Sequence, residues 1–170
     1  MEYIQEIEGQ VGQLKNVSKE IRKKIRLGKL DEAYRLTAQY PNDLIIMSQR
    51  CTILIKQGRL EEAKIIGKQF EDDPIIQSQM VTIAIQEGDI ERANAIGAKF
   101  ESNEAIQSQM ITIAIQEGRL EDAKAIGEKF QDNPMIQNQM ITIAIQEGRL
   151  EEAKAIGARF KKYEPIQRQI

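Results

Sequence analysis

Between Gly118 and Glu147 the apolar residues follow two successive helical patterns. Leu120, Ala123, Ile126, Gly127 and Phe130 recur at helical intervals and predict a first helix with one narrow apolar stripe. Asp132, Asn133 and Pro134 then break the pattern. Asn133 is placed to cap a following helix, and Pro134 falls in its first turn, where a missing N–H costs nothing. The second helix carries Ile136, Met140, Ile141, Ile143, Ala144 and Ile145, which cover over half its circumference at 100° per residue. Such a helix must be packed between neighbours. Gly148 ends it, free to take the left-handed conformation of a helix C-terminus.

The same phrase recurs along the chain. Gly28, Gly58, Gly88, Gly118 and Gly148 stand 30 residues apart and open the segments GKLDEA, GRLEEA, GDIERA, GRLEDA and GRLEEA. The segments QSQMVTIAIQEG, QSQMITIAIQEG and QNQMITIAIQEG lead into Gly88, Gly118 and Gly148, and Asp73-Pro74 repeats the break. One hairpin alone has too few apolar side chains to offset the entropy of ordering it, so neighbours must share a core. The expected fold is therefore all-α: a superhelical array of antiparallel helical hairpins, an α-solenoid with a 30-residue repeat. Residues 1–27 are expected to form a capping helix, or two, that includes the first groove helix. Residues 28–160 form the tandem hairpins, and 161–170 begin a further, truncated helix, as if the array were a fragment of a longer or engineered one. In the N-terminal segment Ile4, Ile7, Val11, Leu14, Ile21 and Ile25 keep three- and four-residue spacing, as one long helix or as two broken near Gly9 and Gly12. A cap over the first hairpin and a coiled-coil seam both fit that spacing.

Gly-Arg-Leu-Glu-Glu-Ala at 148–153, followed in other units by Pro74 or Pro134 opening the next helix, resembles the second half of a tetratricopeptide repeat. The resemblance spans residues 28–165. Short HEAT-like repeats are the competing resemblance, and both imply a binding scaffold. Tetratricopeptide units have about 34 residues and a large aromatic early in the first helix. Here Gln77, Gln107 and Gln137 occupy that position, and Gly67, Gly97, Gly127 and Gly157 replace a large residue further on. Mid-helix glycines cost ~1 kcal/mol each relative to alanine. They are expected to permit close helix contact, with Phe70, Phe100, Phe130 and Phe160 filling space one turn later.

On the second helices the uncovered face aligns Asn138, Thr142 and Gln146, with Gln139 beside them. The same columns hold Ser108, Gln109, Thr112 and Gln116; Ser78, Gln79, Thr82 and Gln86; and Ser48, Gln49, Thr52 and Lys56. The N-terminal helix supplies Ser18, Lys19, Arg22 and Arg26. The resemblance implies that this stripe lines a concave surface that holds extended peptides. A plainly solvated face, repeated by duplication, is the alternative for the same columns. Glu20 and Arg50 stand where later units have Met80, Met110 and Met140, and a cross-helix ion pair is expected between them.

Charge narrows the partner. The chain of 170 residues has a formal net charge of -2, which argues against a general polyanion binder. Basic residues gather locally: eight against three acidic ones between Lys15 and Arg35. An acidic peptide end or a phosphate would suit that end. With no histidine, one cysteine and no nucleophile–base pair, neither catalysis nor a metal site is expected, and no cofactor is implied. The lone Cys51 suits a reducing, cytoplasmic setting, and no apolar run is long enough to span a membrane. The favoured reading is a non-enzymatic protein-interaction scaffold. A helical repeat that binds single-stranded RNA, or a structural array without a ligand, are the alternatives. A weak homodimer is also expected, through an open C-terminal stripe of Ala153, Ile156, Phe160, Ile166 and Ile170.

Overall fold

The computed structural model describes residues 2–169, with side chains from Val11 onward. The expected apolar side chains of Ile4 and Ile7, and all of Ile170, lie outside the described residues. Eleven helices and no strand occur among the described residues. They are α1 (Glu2–Arg26), α2 (Leu30–Thr37), α3 (Leu44–Lys56), α4 (Leu60–Gln69), α5 (Pro74–Glu87), α6 (Ile90–Lys99), α7 (Glu104–Gln116), α8 (Leu120–Lys129), α9 (Pro134–Gln146), α10 (Leu150–Arg159) and α11 (Glu164–Gln167). The N-terminal segment is thus one continuous helix, unbroken at Gly9 or Gly12.

Local chemistry sets these boundaries. Gly58, at φ 72°, turns the chain after α3. Its N–H donates to the Ile55 carbonyl at 3.0 Å and that of Arg59 to the Leu54 carbonyl at 2.9 Å, satisfying carbonyls that the helix leaves unpaired. The longer connections end at side-chain caps: the carboxylate of Asp43 accepts from the Ile46 N–H at 2.8 Å, and Asn133 Oδ1 from that of Ile136 at 3.0 Å. Pro134 opens α9, as the sequence predicts.

The chain divides into two compact units, residues 1–83 and 84–170. In the first, α1 packs on α2 and α3, α2 on α3, and α3 on α4. Ile21, Ala33, Ile46 and Ile53 form its buried centre, with Leu14, Val17, Ile25 and Tyr34 packed around them. In the second unit α7 packs on α8 and α9, and α9 on α8, α10 and α11. Ile111, Ala123, Ile136, Met140 and Ile143 make one buried cluster there. Each fully buried isoleucine contributes about 2 kcal/mol, so these clusters dominate the stability of their units.

Two contacts explain the departures from a tetratricopeptide pattern. A Cβ built on Gly127 would lie 2.7 Å from Met140 Cγ and closer still to its Sδ; Gly67 and Gly97 stand in the same relation to Met80 and Met110. The glycines thus admit a methionine side chain rather than a second backbone. Gln137 donates its Nε2 to the Gly127 carbonyl at 2.9 Å and the Phe130 carbonyl at 3.2 Å, closing the end of α8. Gln77, Gln107 and Gln167 do the same for α4, α6 and α10.

The C-terminal stripe, expected to be open, is partly covered. Ala153 and Ile166 are buried in a cluster with Ile141 and Ala144, and Ile156, Phe160 and Tyr163 pack against it. Within that stripe Ile166 packs on Ala153, while Ile156 and Phe160 stay half-buried.

Candidate functional site

The polar columns of the second helices divide into two classes by exposure. At their C-terminal ends Lys56, Gln86, Gln116 and Gln146 are exposed, and Ser48, Thr52, Ser78, Thr82, Asn138 and Thr142 are half-buried. Thr112 is exposed and Ser108 buried. The glutamine column runs between helices. Gln49 Nε2 donates to the Ser18 carbonyl and hydroxyl at 3.1 and 2.8 Å. Gln79 Nε2 repeats this on the Ser48 carbonyl and Thr52 Oγ1 at 2.9 and 2.8 Å, and Gln139 Nε2 on the Ser108 carbonyl and Thr112 Oγ1 at 3.1 and 3.0 Å. Each amide therefore ties one helix to its counterpart one hairpin earlier. Gln109 is half-buried in the same column.

The threonines make a second use of their hydroxyls. Thr52, Thr112 and Thr142 donate to the carbonyls of Ser48, Ser108 and Asn138 one turn back, at 3.1 Å in each case. Thr52 and Thr112 thereby receive from a glutamine while donating within their own helix. These columns form a hydrogen-bonded seam as much as a solvated face. In the sequence a buried amide and an exposed one look alike, so this structural role was not legible there.

At one end the seam meets charge. Between α1 and α3 lies an open concavity of about 830 Å³, lined by Lys19, Glu20, Arg22, Lys23 and Arg26 on one side and Gln49 and Thr52 on the other. Arg22 and Arg26 are exposed, and Lys24, next to this row, is committed to Glu32 at 2.7 Å and Glu20 at 3.4 Å. The hydrogen bond to Glu32 raises the Lys24 pKa and holds that of Glu32 below the ordinary carboxylate range. Lys23 lines the concavity without having been singled out in the sequence; only the helical wheel of α1 beside α3 places it there.

The expected Glu20–Arg50 pair does not form. Glu20 turns to Lys24, and Arg50 donates to the Tyr34 hydroxyl at 2.6 Å with its guanidinium 4.4 Å from the ring centroid. Arg59 lies over the same ring at 4.5 Å. The flat guanidinium gains both stacking and a hydrogen bond from Tyr34, which a carboxylate one helix away does not offer together.

Burial pushes the Cys51 thiol up to about 12, leaving it protonated at neutral pH. No group of three or more histidine, cysteine or acidic side chains is placed to hold a metal ion among the described residues. No helix among them is long and apolar enough to cross a membrane. No known family model, curated protein or solved structure matches the chain.

Proposed function

We propose that this helical array is an α-solenoid scaffold of 30-residue hairpins, without catalytic activity, that binds an extended peptide or a partner helix along its Ser/Thr/Gln columns. The observation that carries this reading is the open concavity at α1 and α3, where Lys19, Arg22, Lys23 and Arg26, with Glu20 as the one acid, line the side opposite Gln49 and Thr52. Basic groups attract an acidic segment and raise its encounter rate, while neutral amide and hydroxyl groups bond a peptide backbone with little demand on its side chains. The acidic end of the ligand lies against Arg22 and Arg26. Thr52 and Lys56 follow along α3, and Ser78, Thr82 and Gln86 along α5. The second unit carries a face of the same composition in Thr112, Gln116, Asn138, Thr142 and Gln146.

Selection from a random peptide library displayed on phage tests this, followed by calorimetric titration of the selected peptides. The expected result is enrichment of extended sequences with Asp or Glu clustered at one end. Their affinity should fall about tenfold or more on Arg22→Glu with Arg26→Glu, and fall with added salt. A library without enrichment, or affinities indifferent to both arginines, overturns the proposal. Tighter binding of an oligouridine, with a steep salt slope, would favour the RNA reading instead.

A further inference from the structure

Several basic side chains of the later hairpins are neutralised by a carboxylate three residues away, as Arg59 is by Glu62, Lys64 by Glu61 and Arg119 by Asp122. The row on α1 differs. Lys19, Arg22, Lys23 and Arg26 are exposed, and none of them forms an ion pair with a described residue. Their three- and four-residue spacing sets them side by side on one helix face, a like-charge arrangement that destabilises a helix. The helix dipole favours cations in the last turn and so accounts for Lys23 and Arg26. It falls off before Arg22 and Lys19.

These four side chains and the carboxylate of Glu20 are the charged groups that line the open concavity between α1 and α3, which leaves its wall at a net charge of +3. Glu20 is drawn to Lys24 at 3.4 Å, outside the row. Asp43 borders the neighbouring groove, which shares Lys19 and Arg22, and its carboxylate accepts from the Ile46 N–H. The excess charge is confined to this end of the first unit. Where α1 has Lys19, Arg22 and Arg26, α3 has Gln49, Thr52 and Lys56, and α5 has Gln79, Thr82 and Gln86. Uncompensated cations crowded beside open space call for an anion of more than one charge.

We infer that Lys19, Arg22, Lys23 and Arg26 hold the phosphoryl group of a phosphoserine or phosphothreonine in the extended peptide. The inference rests on the peptide-binding reading and names the group that this end of the surface selects. A carboxylate brings one charge and two acceptor oxygens, and one guanidinium in bidentate contact exhausts it. A phosphomonoester carries about -1.5 to -2 at neutral pH and three acceptor oxygens, enough to engage two guanidinium groups and the flanking ammonium groups together. Arg22 and Arg26 stand about 6 Å apart along the helix axis, a separation from which two long side chains converge on one tetrahedral group. A nucleic acid fits this distribution less well. Its diesters bear one charge each at regular intervals, whereas the cations here are gathered at one place and give way to neutral columns on α3 and α5.

Three degenerate peptide libraries, identical except for one fixed phosphoserine, glutamate or serine, provide the probe, and calorimetric titration of the selected peptides against the full chain provides the readout. The phosphoserine peptides should bind about tenfold or more tightly than their glutamate counterparts. The chain has no histidine, so a change between about pH 5.5 and 7 reports the second ionisation of the ligand's phosphate. Phosphopeptide affinity should rise across that window while glutamate-peptide affinity stays level. Arg22→Lys with Arg26→Lys keeps the charge but removes the planar forks. It should weaken the phosphopeptide about fivefold or more and leave both the glutamate peptide and the urea midpoint unchanged. Phosphoserine and glutamate peptides bound alike, a flat pH profile, or indifference to the arginine replacements overturns the inference and leaves the peptide-binding reading standing. Inorganic phosphate bound as tightly as the phosphopeptide also overturns it, since the peptide would then contribute nothing. If none of the three libraries is enriched, both readings fall.

Discussion

The hairpin of α2 and α3 and that of α8 and α9 answer one packing problem in two ways. In the later hairpin Gly127 leaves room for Met140, Gln137 holds the last carbonyls of α8, and Lys124 is on the surface beside Glu121 and Glu147. In the earlier one the corresponding residues are Thr37, Arg50, Met47 and Tyr34, and all four have changed together. Thr37 is fully buried, and its hydroxyl donates to the Tyr34 carbonyl at 2.6 Å. With a side chain where the glycine would be, the space for a methionine is gone, and Arg50 lies instead on the Tyr34 ring. Met47, buried like Gln137, supplies no donor. The helix it follows is shorter, eight residues in α2 against ten in α8. The lesson is that these positions act as sets: each residue is tolerable because its partners have changed with it.

The comparison breaks most severely if one member is moved alone. Gly127→Thr places a branched side chain against Met140 in a closed cluster and should cost about 2–3 kcal/mol, read as a lower urea midpoint. The small gain in helix propensity from replacing glycine does not offset it. Adding Met140→Arg and Lys124→Tyr, which supplies three of the earlier hairpin's four residues, should recover at least half of the loss. A neutral single variant would mean that Met140 sidesteps freely. A triple variant no better than the single would mean that the sets are not coupled.

A smaller effect is expected from Gln137→Met, which imports the residue of the earlier hairpin while keeping its volume and apolar stem. The carbonyls of Gly127 and Phe130 lose their side-chain donor but keep the N–H groups of Phe130 and Asn133, so the change should cost about 1 kcal/mol. Amide exchange should quicken at Lys129 and Phe130, in the last turn of α8, and leave α9 protected. Uniform loss of protection across both helices would show that the glutamine supports the whole hairpin and not the helix end.

The smallest effect sharpens the contrast at the surface. Hydrogen bonds from Lys24, Arg59 and Lys124 hold the carboxyls of Glu32, Glu62 and Glu147 below the usual range, with Arg149 adding to the last. Their folded-state pKa values are lowered. They therefore support the fold above the ordinary carboxylate range, and that support is lost as the pH falls through it and on through the depressed values. Because the pairs are exposed, the decline in urea midpoint on acidification should be shallow and should shrink in high salt. Glu62→Gln should flatten it further in the first unit, where Arg59 also lies over Tyr34. A steep acid transition that salt does not affect would point to buried groups instead.

Much of the local architecture was legible because its causes are local. Gly148 at φ 74°, the Asn133 cap and Pro134 at the head of α9 follow from backbone sterics and from hydrogen bonds within a few residues. The apolar spacing that set the core positions Ile136, Met140 and Ile143 is likewise a property of one helix. Within the polar columns, Gln49, Gln79 and Gln139 bond between helices, a role the sequence does not display. Their amide bonds reach residues 27 or 31 positions away, a separation that no helical wheel represents. The Glu20–Arg50 expectation failed for a related reason: complementary charge was visible in the sequence, but the competing Tyr34 ring on α2 was not visible as a neighbour.

By itself, then, the sequence determined where helices start and stop and which of their faces turn inward, because steric and capping terms act over one or two turns. The tertiary structure alone decided what each inward or polar side chain meets. It set methionine over Gly127, Gln49 between α1 and α3, Arg50 on Tyr34, and Ile166 over the stripe of α10. These outcomes depend on which of several chemically acceptable partners comes within about 3–4 Å, and that choice is made only when close-packed helices exclude the others.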